Sequence, residues 1–244
     1  MARHFTAANL GTLLNYNIRY GVSIGRRQPM HRMHMECIRE IEQAGLVPII
    51  GVGSCNSAFD ANGQRDPWFD PLANPLTFVQ NAEQIRQMFP AVVILPIPDV
   101  GDPERWAVQL AALLNNVDFL KRHGLNVNEG IAEQCVVHYR VKPLAAGKVS
   151  KDIMPLSAYD KVLHAQNIST WASSNARQED DAISSTPYRE KDLRALTAED
   201  GRILAAPDYL LKLAKTARAS HSAGAALDKA GVPVTMADLT LSRL

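Results

Sequence analysis

Residues 47–52 of this chain read VPIIGV, six consecutive positions without a polar side chain. A strand with one face in water alternates apolar and polar residues. An unbroken apolar run instead suits a parallel strand covered on both faces. Parallel neighbours need a crossover, usually a helix, so such a run calls for a βαβ framework. The surrounding sequence supplies one. Residues 22–24 read as a first strand, and 31–44 as a helix with Met35, Ile38 and Ile41 at spacings of three. Residues 76–89 repeat apolar positions at Leu76, Val79, Ala82, Ile85 and Phe89, and 92–97 form another buried strand. Asp102 caps and Pro103 opens a further helix, with Trp106, Leu110, Leu113, Leu114 and Val117 along one face, and 135–141 (CVVHYRV) is a strand again. The fold class is α/β, an open parallel sheet with helices on both faces. Such sheets bind ligands beyond the carboxyl ends of their strands.

A length of 244 residues with 46% hydrophobic content suits one large domain or a core domain with an appendage. Residues 1–19 form an N-terminal extension, 20–200 the main domain, and 201–244 a C-terminal helical segment, with helices over 207–219 and 222–230. Within the main domain 142–182 shows few clear periods and reads as an insertion, with 173–181 (SSNARQEDD) polar enough for a mobile loop. A formal net charge of +1 gives no bulk field, which excludes generic nucleic-acid or membrane binding. No run approaches the ~20 apolar residues of a membrane helix, and residues 1–19 lack the apolar centre of a signal peptide, so a cytoplasmic protein is expected. Three cysteines (Cys37, Cys55, Cys135) cannot pair off evenly and read as reduced thiols. His31, His34 and Cys37 share a face, but no fourth ligand accompanies them, and a structural zinc is rejected.

The chemistry gathers in residues 20–37, YGVSIGRRQPMHRMHMEC. An apolar strand runs into Gly25; Arg26, Arg27 and Gln28 follow, and Pro29 leads to His31 and His34 on an opening helix. Backbone N–H groups at a helix start attract anions, glycine lets a ligand approach the main chain, and histidines three apart point the same way. The turn is built to hold phosphate, although an HxxH spacing alone is a weak signal.

The spelling G-R-x-Q-P-x-H-x-x-H resembles the signature of the nucleotidyltransferase superfamily, and within it the nicotinamide mononucleotide (NMN) adenylyltransferases of archaeal and bifunctional type. Far downstream, 183–189 (ISSTPYR) is similar to that family's I-S-x-T-x-x-R. Between them, 51–54 (GVGS) resembles a G-x-G-S after the second strand, 65–68 (RDPW) an R-N-P-W loop, and 96–99 (PIPD) with Trp106 an I-P-D followed by a tryptophan. Read without the family, GVGS is an ordinary glycine turn and Trp106 a core residue. The resemblance implies a Rossmann-like nucleotidyltransferase fold and adenylyl transfer from ATP to NMN, giving NAD and pyrophosphate. It implies that His31 and His34 meet the ATP phosphates, with His34 nearest the transferred group, and that Arg26 and Arg189 act as forks on phosphate oxygens. Gly25, Gln28, Ser185 and Thr186 would bind ATP; Gly53, Ser54, Arg65, Trp68, Asp99 and Trp106 would bind the mononucleotide. Mg2+ would arrive on the triphosphate with mostly water ligands, and a homo-oligomer is expected. Arg27 reads as a solvated surface charge or a satisfied polar side chain.

Two other functions fit the same residues. One keeps fold and ATP but changes the acceptor, as in the pantetheine-phosphate adenylyltransferases or the cytidylyltransferases. The other is a nucleotide sensor without turnover, motivated by Met33 where the family has glycine before the last histidine.

Overall fold

A computed structural model of the chain describes residues 1–6, 8–27, 30–53, 78–97, 103–140 and 156–173. Six strands, β1 (His4–Phe5), β2 (Tyr20–Gly25), β3 (Val47–Gly53), β4 (Val93–Ile97), β5 (Cys135–Arg140) and β6 (Ser169–Ser173), form one sheet in the order β1-β6-β5-β2-β3-β4. Every pairing is parallel. Five helices accompany them: α1 (Arg32–Gln43), α2 (Phe78–Met88), α3 (Pro103–Asn115), α4 (Val117–Arg122) and α5 (Leu156–Ala165).

The lack of alternation in the strands has the expected cause. Val22, Ile49, Val93, Leu95 and Val137 face α3, α4 and α5 in one core cluster, whereas Ile50, Val52 and Ile94 pack beneath α1 and α2 with Met30, Ile38, Ala82 and Ile85. Neighbouring residues of one strand thus enter opposite layers, and both faces must be apolar. A third cluster joins Phe5, Leu13 and Ile18 of the first nineteen residues to Ile41, Val136 and Trp171. The segment anticipated as an extension therefore supplies an edge strand, through His4 opposite Thr170 and Phe5 opposite Trp171, and a 3-10 helix, Leu10–Tyr16.

Several expectations are corrected. Val117 does not continue the helix that begins at Pro103. Asn116 interrupts it and caps α4, its side-chain oxygen accepting from the Phe119 N–H at 2.9 Å. Val79 is exposed although it falls in the apolar series, and Val47, first of the apolar run, is exposed at the amino edge. The stretch 142–182 contains α5 and β6, and Ser173, anticipated in a mobile loop, ends β6 in the buried layer. Polar composition hid β6. Thr170 is buried, but its hydroxyl meets His4 Nδ1 and His164 Nε2, each at 3.1 Å, and Ser169 Oγ accepts from the Arg3 N–H. Satisfied hydroxyls can enter a core that composition would deny them.

Among the described residues no helix is long and apolar enough to cross a membrane. The expected helices over 207–219 and 222–230 lie outside the described residues.

Gly21 and Gly51 are packing glycines. A Cβ at Gly21 would collide with Ile41 on α1, and one at Gly51 would stand 2.8 Å from Ile24 Cγ1 and 2.9 Å from Ile97 Cγ1. Gly21→Ala must therefore push α1 off the sheet, and a loss of ~1–3 kcal/mol is expected for such overpacking. Urea denaturation checks this; an unchanged midpoint would mean that Ile41 has room to move aside.

Candidate functional site

In this sheet the chain steps from β2 to β3 and β4 on one side and reaches β5, β6 and β1 on the other. The helix after β2, α1, covers one face; the helix after β5, α5, covers the opposite one. The strand order reverses between β2 and β5, and parallel sheets of this kind take ligands beyond their carboxyl ends at such a point. Gly25 and Arg26 leave the end of β2 there, and His31 and His34 begin α1.

His31 is the residue before α1, with extended backbone (φ −137°, ψ 174°), and its side chain is almost fully buried. Its carbonyl accepts from the His34 N–H at 2.9 Å, and its own N–H points to His34 Nδ1 at 3.4 Å. The two rings stack, centroids 3.9 Å apart and planes 24° from parallel. When His34 is neutral, an accepting Nδ1 leaves the proton on Nε2, which can then donate. No carboxylate occupies the first turn of α1, so no side-chain negative charge competes there with an anion.

The glycines at this edge differ from those inside the sheet. A Cβ on Gly53 would find nothing nearer than Gly25 C at 3.9 Å, and one on Gly25 nothing nearer than Arg27 Cγ at 3.9 Å. Among the described residues nothing packs closely enough to require glycine at either position. Gly53 ends β3 beside Ile97. On the face towards α3, half-buried Trp106 and Ile24 pack on the margin of the core. Trp106 is thus anchored against the core by one side.

Two residues that sequence reasoning missed hold the turn. Gln84 and Asn81 of α2 are completely buried. Gln84 Nε2 donates to the Arg27 carbonyl at 2.8 Å while Gln84 Oε1 accepts from the Met30 N–H at 3.1 Å; Asn81 Nδ2 donates to the Arg26 carbonyl at 2.7 Å. One carboxamide thus spans the chain between residues 27 and 30 as a peptide group would. The signal was present: Asn81 and Gln84 stand three apart, each directly before an apolar position of the buried row, Ala82 and Ile85. A further missed pair ties α1 to β5. Buried His138 Nε2 lies 2.8 Å from Glu40 Oε2, and its ring meets Trp171 edge-on at 4.4 Å.

Arg27 departs from expectation most. Its side chain is 2% exposed, so it is not a solvated surface charge. Nor is it satisfied: Nη2 donates to Ser23 O (3.1 Å) and Ser23 Oγ (2.7 Å), but Nε and Nη1 are buried without a hydrogen-bond partner.

Gly25, Arg26, His31, His34, Gly53 and Trp106 therefore lie at the carboxyl edge. Gln28, Ser54, Arg65, Trp68, Asp99, Ser185, Thr186 and Arg189 lie outside the described residues, as does the side chain of Met33. Among the described residues no group of three His, Cys, Asp or Glu side chains could hold a metal ion. A cleft of about 710 Å3 opens at the opposite, amino edge, between Arg3, Tyr16, Glu129, Glu133 and Asn167. Its polar groups answer one another, with Asn167 donating to Glu133 at 3.2 Å and Arg3 lying over the Tyr16 ring at 3.9 Å. Parallel sheets of this kind take ligands beyond the strand ends, not at the strand starts.

No protein-family model matches the chain, and no curated protein does. The fold is similar to two crystal structures of a bifunctional NMN adenylyltransferase/ADP ribose pyrophosphatase from Francisella tularensis, one of them complexed with AMP and a Mn ion. In each the TM-score is 0.50 and the sequence identity 18%, over 80% of this chain and 49% of that one. The chain thus spans about half the length of the proteins it matches. The likeness is one of fold.

Replacing Gln84 by leucine keeps most of the volume and removes both halves of the bridge. The Arg27 carbonyl and Met30 N–H would then be buried without partners, and Gln84→Leu is expected to lose ~2–4 kcal/mol on the usual cost of such groups. Chemical denaturation reads this directly. A loss below about 1 kcal/mol would mean that water or a shifted backbone replaces the carboxamide.

Proposed function

We propose that this chain transfers the adenylyl group of ATP to nicotinamide mononucleotide, giving NAD and pyrophosphate. The observation that carries the reading is the His31–His34 stack at the start of α1, beside the glycine ends of β2 and β3, at the point where the strand order reverses. The activity of the structural neighbours supports it, as does the spelling of residues 25–34 and 183–189. Only the first of the two activities named for those proteins is proposed, since the chain spans about half their length.

In the reaction a phosphate oxygen of the mononucleotide forms a bond to the α-phosphorus of ATP. The bond from that phosphorus to the bridging oxygen breaks, and its electron pair leaves with pyrophosphate. No covalent enzyme intermediate is needed; the demand is alignment and stabilisation of negative charge growing on the phosphoryl oxygens. His34 Nε2 and the first N–H groups of α1 are donors suited to the transferred group, with His31 behind His34 fixing its ring. Arg26 and Arg189 would fork phosphate oxygens, and Gln28, Ser185 and Thr186 would donate to the β- and γ-phosphates. Mg2+ enters as part of the nucleotide substrate, so an acidic cage is not required of the protein. On the acceptor side, Gly53 would admit the mononucleotide beside Trp106, whose indole would stack on the pyridine ring, and Ser54, Arg65, Trp68 and Asp99 would bind it. Assembly as a homo-oligomer is part of the proposal.

Pyrophosphate release measured with ATP, NMN and Mg2+ tests the reading. Release should require all three and stop when a chelator removes the metal. If neither nicotinamide nor nicotinate mononucleotide supports release above background, the reading is wrong.

A further inference from the structure

We infer that Arg27 binds a phosphate group in the crevice, as a guanidinium that the protein buries without a counter-ion and that the nucleotide completes. The inference deepens the adenylyl-transfer reading and rests on it for the identity of the anion. It begins from two unfavourable features at one residue. Arg27 adopts φ +51°, in the left-handed region; the other non-glycine residues there are Asn17 and Asn167, the side chain that tolerates it best. It also carries a charge 98% removed from water, as its 2% exposure records. Among the described residues no carboxylate faces it, and two of its three nitrogens lack acceptors. Guanidinium holds its proton too tightly to escape by neutralisation, so an isolated buried arginine carries a standing cost. Burial pushes its pKa below the ordinary range, with a charge on nearby Cys37 acting in the opposite sense.

A fold relieves such a cost unless something holds the residue in place, and here something does. The Arg27 carbonyl is gripped by Gln84 and the preceding carbonyl by Asn81, both from buried side chains. The arrangement is therefore built. Arg27 stands two residues beyond Gly25, the last residue of β2, its Cγ 3.9 Å from where a Cβ on that glycine would stand. It accordingly flanks the strand end at which the crevice opens. Nη2 is parked on two neutral oxygens of Ser23. Nε and Nη1 are shielded, so the encounter requires the side chain to turn from Ser23 towards the crevice. It would exchange two bonds to neutral acceptors for shorter, charge-assisted bonds to a phosphate dianion, for which a planar fork is well matched.

Isothermal calorimetry and thermal melting of the full chain with inorganic pyrophosphate and, separately, with NMN test this. Arg27→Met keeps the stem and removes the charge. It should melt at or above the wild-type temperature and bind one of the two probes at least ~10-fold more weakly, the loss of one bidentate charge-assisted contact. Which probe is affected tells whether the ATP side or the acceptor side holds the phosphate. Arg27→Lys, which keeps charge without the fork, should fall between the two and serves in place of Arg27→Met should that variant fail to fold. Binding of both probes within 2-fold of wild type, or a large stability loss with unchanged binding, would make Arg27 a structural residue and overturn the inference. Wild-type protein that binds neither probe would overturn it too. If pyrophosphate binding is Arg27-dependent while no pyridine mononucleotide supports turnover, the anion site stands and the transfer reading fails; turnover with binding indifferent to Arg27 is the converse.

Discussion

The crevice depends on the Gln84 carboxamide, which accepts from Met30 and donates to Arg27. Gln84 and Asn81 stand 54 to 57 positions along the chain from the backbone groups they hold. The turn between β2 and α1 therefore takes its shape only after α2 has packed on the sheet. Remove that contact and the start of α1, with the His31–His34 stack, loses the anchor that sets its distance from the strand ends. The Glu40–His138 pair does the corresponding work one helical turn or two further on, tying α1 to β5 across the position where the strand order reverses. Buried polar groups thus fix the position of α1, and apolar contacts at Ile38 and Ile41 hold it down.

The same division of labour appears among the glycines. Gly21 and Gly51 are small because Ile41, Ile24 and Ile97 occupy the space a side chain would need, and they belong to the packing of the sheet. Gly25 and Gly53 meet no such neighbour among the described residues and stand at the carboxyl ends of β2 and β3. Sequence alone could not separate them, since 51–53 reads simply as glycine, valine, glycine. The separation needs the twist and register of three adjacent strands.

What was legible in the sequence follows from local physics. The strands at 47–52 and 92–97 were legible because burial on both faces removes alternation, and α1 because Ile38 and Ile41 recur at helical spacing. Gly25, Arg26, His31, His34, Gly53 and Trp106 were found by motif and do lie at the carboxyl edge. What was hidden depended on distant partners. Strand β6 looked polar until His4, His164 and Arg3 are seen to meet its hydroxyls. Val117 looked like one more apolar position of a long helix until Asn116 capped a new one. Asn81 and Gln84 drew no reading, and Arg27 looked like a solvated charge or a satisfied polar side chain, because a one-dimensional pattern does not record that a side chain is enclosed by residues dozens of positions away.

The central claim is that nucleotide binds at the carboxyl edge, over β2, β3 and the start of α1, and not in the amino-edge cleft. Amide chemical-shift mapping of the isotope-labelled chain titrated with AMP tests it most directly. The account predicts the largest shifts at Gly25, Arg27, His34 and Gly53 and at the Trp106 indole N–H. Shifts gathered instead around Arg3, Tyr16, Glu133 and Asn167 would contradict it.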